Sequence, residues 1–572
     1  MADSSPSAAP ATPATSAAPA TLVTPATGWW RGAVIYQVYV RSFADANGDG
    51  VGDLAGVRAR LPYLRDLGVD AIWFTPWYPS PMADGGYDVA DYRAIDPAFG
   101  TLAEAEALIE DALTFGIRTI VDVVPNHVSD QHAWFQAALE AGPGSPERER
   151  FWFRSGHGDE PPNGWASIFG GSAWTRTKTE DGADGEWYLH LFAPEQPDLN
   201  WEHPDVRREH EDVLRFWFDR GAAGVRIDSA ALPVKDAALP ELNPAAAPGE
   251  HPYEDRDGLH DIYRDWRRVA DSYPDPRVLI GEIWLPDAHR LARYLRPDEL
   301  HTAFNLEFLA CPWDAARLRE SIDTTLATHA PVGAPATWVL SNHDVTRPVT
   351  RYGRADTSFS FAAKHEAAGP ADLTLGTRRA RAAALLAMAL PGSLYIYQGE
   401  ELGLPEVEDL PNERRHDPMH FRSGGSDPGR DGCRVPMPWT ANTPTYGFSP
   451  DDATSHPWLP QPETWASLSA EAQADDPASM LNLYRSALRI RPATLGDESM
   501  QWLDRGVDVL AFRRGDRFEC VVNLGAEPVA IPEQSEILLA SGELAEGAVP
   551  TDTAVWLRTE RYPTLTEVET SR

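Results

Sequence analysis

Eight short apolar runs, at 33–40, 70–75, 118–124, 224–229, 278–283, 302–307, 338–341 and 393–397, recur along the chain with amphipathic stretches between them. Within most of these runs the hydrophobicity is continuous. A strand covered on one face alternates apolar and polar residues, whereas a strand covered on both does not, so the runs read as parallel strands buried on both sides. Eight such strands separated by helices predict an α/β fold, a (β/α)8 TIM barrel, in which reacting groups sit at the C-terminal ends of the strands. The connection after the first run shows the local logic. Leu54, Val57, Leu61, Leu64 and Leu67 share one helical face, Asp53 can cap its start and Gly68 can end it.

Three stretches depart from this rhythm. Residues 1–28 are almost wholly Ala, Pro, Thr and Ser with no Lys or Arg ahead of an apolar run, which predicts a disordered tail and not a secretory signal. The barrel is expected to occupy 29–126 and 202–491. Between its third and fourth strands, residues 127–201 are rich in Trp, Gly and Pro and show no strong helical period; the stretch is too long for a passive loop and reads as an inserted subdomain. From 492 to 572 the pattern changes to alternating strands, as at 507–513 and 518–523, with Gly/Asp turns, and predicts a C-terminal all-β domain of sandwich type.

Composition narrows the partners. The formal charge of −36 argues against nucleic acid or an anionic membrane surface, and no stretch is long and apolar enough to span a bilayer. Cys311, Cys433 and Cys520 are widely spaced and lack any C-x-x-C pattern, which argues against a disulfide framework or zinc site and for a reducing cytoplasm.

Polar residues cluster where the barrel strands end. The third ends in Asp122-Val-Val-Pro-Asn126-His127, the fourth in Gly224-Val-Arg226-Ile-Asp228, the fifth in Gly281-Glu282-Ile-Trp284 and the seventh in Ser341-Asn342-His343-Asp344. Carboxylates, histidines and an arginine then converge on one pocket mouth. Cleaving a glycosidic bond needs such a set: one carboxylate to attack the anomeric carbon and one protonated carboxylic acid to serve the leaving oxygen, about 5–5.5 Å apart in enzymes that retain configuration. An arginine beside the first keeps it ionised while the second holds a raised pKa.

These four segments, in order and on the expected strand ends, resemble the four short motifs of the α-amylase family of glycoside hydrolases, and the resemblance extends from Trp29 to the C-terminus. It implies Asp228 as nucleophile, Glu282 as general acid/base and Asp344 as transition-state stabiliser. It further implies that Arg226 orients Asp228 and that His127 and His343 bond the sugar before the cleaved linkage. The segments Gln37-Val-Tyr-Val-Arg41-Ser-Phe43, Gly86-Tyr87-Asp88 and Gln196-Pro-Asp-Leu-Asn200 resemble the exo-acting α-glucosidase and oligo-1,6-glucosidase-like branch. By that resemblance Tyr87 stacks under the terminal glucose, Asp84 and Arg430 grip its hydroxyls and close the pocket, and Phe192 and Gln196 line the wall. Arg434 is a nearby alternative to Arg430, and the long segment 404–438 that carries both is expected to overhang the pocket.

The segment Asp45-Ala-Asn47-Gly-Asp49-Gly-Val51-Gly-Asp53 spaces oxygen donors like the first half of an EF-hand but has Gly56 where the twelfth-position glutamate belongs. An Asp/Gly turn is its plain reading. The family resemblance implies a structural Ca²⁺ held by the side chains of Asp45, Asn47, Asp49 and Asp53 and the carbonyl of Val51. The residue after the nucleophile separates linkage preferences in this branch, valine with α-1,6 bonds and threonine or alanine with α-1,4; here it is Ser229, nearer the second. The expectation is a retaining exo-α-glucosidase on maltose and short malto-oligosaccharides, α-1,4 preferred. The alternatives are a transglucosylase or trehalose-forming isomerase on the same fold, an α-1,6-preferring glucosidase, and a catalytically dead binding subunit, against which the retained carboxylates speak.

Overall fold

The computed structural model describes residues 28–179, 182–245, 247, 249–361, 369–494 and 500–559, so the expected N-terminal tail lies outside the described residues apart from Gly28. Eight parallel strands form the barrel: β1 Val34–Val38, β2 Ala71–Phe74, β3 Arg118–Val123, β4 Gly224–Ile227, β5 Val278–Gly281, β6 Thr302–Ala303, β7 Thr337–Val339 and β8 Ser393–Tyr397. Successive strands from β1 to β6 pair in parallel, β7 pairs with β8 and β8 back onto β1, while β6 and β7 are not joined by a ladder. The seam between β6 and β7 carries the Asn305 N–H to Thr337 carbonyl bond of 3.2 Å and a bond between the Thr302 and Thr337 hydroxyls.

The continuous hydrophobicity of the runs has its reason in the packing. Ala33, Ile35, Ala71, Trp73, Ile120, Val278, Ile280, Val339 and Tyr395 form one buried cluster inside the barrel. The residues between them, such as Tyr36, Ile72, Val121, Leu279, Trp338 and Ile396, face the other way into the layer under the helices. Both faces lose water, so both must be apolar. A buried aromatic such as Trp73 removes roughly 150–250 Å² from water, a gross gain of about 4–6 kcal/mol before ordering is counted.

Three local expectations need correction. The single helix read after β1 is two, Leu54–Ala59 and Leu61–Leu67, broken at Arg60 because Pro62 has no N–H to continue the ladder. Its ends stand as expected: Asp53 accepts the Gly56 N–H at 2.6 Å, and Gly68 closes the second helix at φ 97°. The sixth run is a strand for two residues only; Asn305 then caps a helix over Leu306–Ala310 through the Phe308 N–H at 2.9 Å. The insertion after β3 contains a helix, Ala133–Ala141, that its composition hides, along with an antiparallel sheet of Phe153–Arg154, Asp184–Leu189 and Trp174–Lys178. Its own core is aromatic, built on Trp152, Trp165 and Trp174.

The C-terminal all-β domain is a five-stranded antiparallel sheet from Met500 to Arg558 with a two-stranded companion, Val529–Ala530 and Ala548–Val549. It rests on the barrel helix Leu373–Ala389, where Trp556 Nε1 donates to the Leu385 carbonyl at 3.1 Å. Among the described residues no helix is long and apolar enough to cross a membrane.

Candidate active site

The parity that turns apolar side chains into the barrel continues past the strand ends, where polar residues take over. Ile35 is followed on its face by Gln37, Ile120 by Asp122, Ile280 by Glu282 and Val339 by Ser341, and β4 ends in Arg226 and Asp228. Nine of the expected residues (Asp84, Tyr87, His127, Phe192, Asp228, Glu282, His343, Asp344 and Arg430) line one cavity of about 270 Å³ at this end of the barrel. That is near the small end of pockets for small molecules, about 300–1,000 Å³. Arg226 and Gln196 stand directly behind its wall.

Arg226 joins the acids. Its Nη1 donates to Asp228 Oδ1 at 2.6 Å and to Asp122 at 3.1 Å, and its Nη2 lies 2.8 Å from Glu282 Oε2. One guanidinium therefore touches both candidate reacting carboxylates. Glu282 Oε2 also accepts the Ser229 N–H at 2.9 Å, and Oε1 accepts Trp284 Nε1 at 3.1 Å. To present that N–H the backbone turns sharply at Ser229, φ 44°, a conformation costing a non-glycine residue about 1–2 kcal/mol. Burial pushes the Glu282 carboxyl up to about 7, with Arg226 pulling against it and Asp228 and Asp344 adding to it. Burial also raises Asp228, opposed by its contact with Arg226.

Opposite these acids the pocket ends in a buried charge network. Arg430 Nη2 donates to Asp84 Oδ1 at 2.6 Å and Nη1 to Asp344 Oδ1 at 3.1 Å, while Nε is held by Asp417. Arg434 donates to Asp344 Oδ1 at 2.8 Å and to the His343 carbonyl at 2.8 Å. Both arginines thus bear on Asp344, and Arg430 alone reaches Asp84. Burial by itself would raise Asp344; His343, Arg430, Arg434 and Arg226 outweigh it and hold the carboxyl well below the usual range. Asp84 is pushed by burial to about 6 against the pull of Arg430.

The wall between these two groups is set by short contacts. The Gln196 amide donates to Asp84 Oδ2 at 3.1 Å and lies 3.0 Å from His127 Nε2, and Gln37 Nε2 lies 2.7 Å from His343 Nδ1. Burial lowers His127 to about 4, so it is neutral near pH 7. Tyr87 donates to Asp122 at 3.2 Å and stacks on His343, ring centroids 5.2 Å apart at 6°. Gly86 before it, at φ 105°, lets the loop pass close under the Pro76 carbonyl, 3.1 Å from where a Cβ would stand. Phe192 reaches from the insertion to within 5.0 Å of the His127 ring.

Sequence reasoning missed Asp417, which fixes Arg430, and the outer lining of Leu232, Glu254, Trp284, Phe361 and Met419. Only Trp284 carried a local signal, two residues beyond Glu282 and so on the same face.

The loop after β1 gathers the oxygens read as calcium ligands. Asp45 accepts the N–H groups of Gly48 and Gly50 at 2.7 and 2.9 Å, Asn47 that of Asp49 at 2.9 Å, and Asp49 that of Val51 at 2.9 Å. Asp53 accepts from Ala46, Asn47 and Gly56. Burial raises the Asp53 carboxyl, and nearby Asp45 adds to the rise. The donor set is all oxygen, with lone pairs to spare, and fits a hard cation. Among the described residues no three His, Cys, Asp or Glu side chains come together closely enough to hold a metal, so a cation here would depend on Asn47 and the Val51 carbonyl as well.

Comparison with known proteins shows what the chain is similar to. Residues 37–497 match the alpha-amylase catalytic domain model, and 493–556 match a domain of unknown function. A probable alpha-glucosidase of Rhizobium meliloti is 37% identical over 88% of this chain and 91% of its own length. The trehalose-6-phosphate hydrolase of Escherichia coli is 37% identical over 81% and 84%. The crystal structure of an alpha-glucosyl transfer enzyme superposes with a TM-score of 0.80 at 36% identity, covering 94% of this chain and all of the other.

Proposed function

Because the chain belongs to the α-amylase family of glycoside hydrolases, we propose that it removes terminal, non-reducing glucose from maltose and short malto-oligosaccharides with retention, α-1,4 linkages preferred. The observation that carries this reading is the single Arg226 guanidinium bonded to both Asp228 and Glu282. Two carboxyl groups sharing one guanidinium cannot stand far apart, which favours the short separation of retaining enzymes over the roughly 6.5–9.5 Å of inverting ones.

Asp228 attacks C1 of the glucose as Glu282 gives its proton to the departing glycosidic oxygen. Glu282, now ionised, takes a proton from water, whose oxygen attacks C1 from the face the leaving oxygen vacated, opposite Asp228, and so breaks the C1–Asp228 bond. Asp344, kept anionic by its cations, faces the positive charge that develops at the ring. Neutral His127 and His343 bond ring hydroxyls. The Arg430–Asp84 pair closes the far end, which supports attack at chain ends. Arg430 is the sole lysine or arginine among the described lining residues, and Asp84, Asp344 and Asp417 already hold it. That leaves no cation for a phosphate and favours a neutral sugar. Ser229 lacks the branched methyls that accompany α-1,6 selectivity, a difference of about 1–3 kcal/mol.

Proton NMR of the protein with equal maltose and isomaltose tests the reading. Early α-glucose with maltose consumed first is expected; β-glucose first would overturn retention, and new disaccharides outpacing glucose would make it a transferase. The reaction needs Glu282 protonated, so kcat/KM on maltose falls as pH rises through about 7. The loop at 45–53 we assign to a structural Ca²⁺ held by Asp45, Asn47, Asp49, Asp53 and the Val51 carbonyl, supplying no chemistry. Excess chelator should then lower Tm by a few degrees, restored by Ca²⁺ alone; an unchanged Tm would refute it. The three cysteines are buried, which supports a cytoplasmic setting.

A further inference from the structure

We propose that Trp284 is the positioning residue that fixes which oxygen of Glu282 carries the proton and where that proton points; the inference rests on Glu282 being the general acid. Oε2 is engaged by two donors, Arg226 Nη2 at 2.8 Å and the Ser229 N–H at 2.9 Å. A carboxyl oxygen so placed is the acceptor end of the group, because a proton there would face two others. The acidic proton therefore resides on Oε1, whose one donor among the described residues is Trp284 Nε1 at 3.1 Å. That bond fills one lone-pair direction of Oε1 and leaves the other, towards the cavity that both side chains line. The indole is itself steadied, edge to face with Phe361 at 5.2 Å.

The same bond acts in both halves of the reaction. With Glu282 protonated it orients the O–H. Once the proton has gone to the leaving oxygen, the Trp284 N–H stabilises the carboxylate that must next take a proton from water. A donor to the ionised form lowers a carboxyl's pKa, opposing the burial that raises Glu282. Trp284 thus keeps an acid in a desolvated site able to lose its proton at working pH.

The test is Trp284→Phe, which keeps an aromatic ring and removes the N–H, assayed on maltose and on 4-nitrophenyl α-glucoside with E282Q alongside. The descending limb of the kcat/KM–pH profile on maltose should move up by about one unit, since Glu282 holds its proton more tightly. The loss at the wild-type optimum should be about 10-fold larger on maltose, whose leaving group needs the proton, than on the aryl glucoside. A limb that stays in place with equal losses on both substrates would overturn the proposal, because a wall or stacking residue has no reason to move that limb. If E282Q itself turned over maltose, Glu282 would not be the acid, and the functional reading would fail instead. Should Trp284→Phe not fold, Trp284→Met also removes the N–H, brings in no new donor and is judged by the same two readouts.

Discussion

The two ends of the catalytic cavity are built on different physics. At the closed end Arg430, Arg434, Asp84, Asp344 and Asp417 interlock out of water, every charge held by at least one opposite charge. At the open end Ile168, Leu232, Phe361 and Met419 present apolar surface, and Glu254 stands with no hydrogen bond or ion pair among the described residues. A network whose members fix one another is organised before the sugar arrives, so its donors and acceptors need little rearrangement when charge develops. Apolar surface holds by contact area and tolerates different shapes. The contrast teaches that whatever enters the closed end meets fixed polar geometry, while the part of a ligand left at the open end is admitted on looser terms.

The contrast breaks most severely at Arg430. Arg430→Ala leaves Asp84 and Asp417 buried without their shared cation and removes one of the groups that hold Asp344 down. Breaking a buried pair in this way costs about 3–5 kcal/mol. We expect a clear fall in Tm and a drop in kcat/KM on maltose of about 10²–10³-fold. The ascending, acidic limb of the profile should also move to higher pH, because Asp344 loses part of the attraction that keeps it anionic. A variant with wild-type Tm and less than about a 5-fold loss of kcat/KM would show that the closed end is not organised by this ion pair, leaving Arg434 to carry the load.

The same division explains what could be read from the residues in advance. Barrel strands buried on both faces leave continuous apolar runs, and the alternation that points Ile280 inward points Glu282 inward too, so Asp122, Arg226, Asp228 and Glu282 were legible as a set. Asp417 was not: it meets Arg430 across a sequence separation of 13 that includes the short helix Pro418–Arg422, and nothing local distinguishes it from other aspartates in that segment. The break at Arg60 hid for another reason, since Leu61, Leu64 and Leu67 keep the helical period of Leu54 and Val57 across the proline. At 302–307 a buried helix start looks like a strand because both are apolar, and only the cap at Asn305 tells them apart. The open end was invisible because apolar lining from 168, 232, 361 and 419 has no spacing to announce it.

The smallest expected effect sharpens the contrast from the open side. Burial raises the Glu254 carboxyl, and neighbouring Asp255 adds to the rise, but no cation balances it. An anionic group entering past Leu232 would meet this charge and no free cation. Removing one unit of repulsion at about 6 Å in a half-wet site is worth about 0.7–1.4 kcal/mol. Glu254→Gln should therefore raise the ratio of kcat/KM on trehalose 6-phosphate to that on maltose by about 3- to 10-fold. The gain should shrink as salt is raised from about 0.01 to 1 M, because the screening length falls from about 30 to 3 Å. A ratio unchanged at low salt would mean that the open end discriminates by shape alone. A gain that persists in high salt would point to repacking around Leu232 and Trp284, with charge playing no part in the choice of substrate.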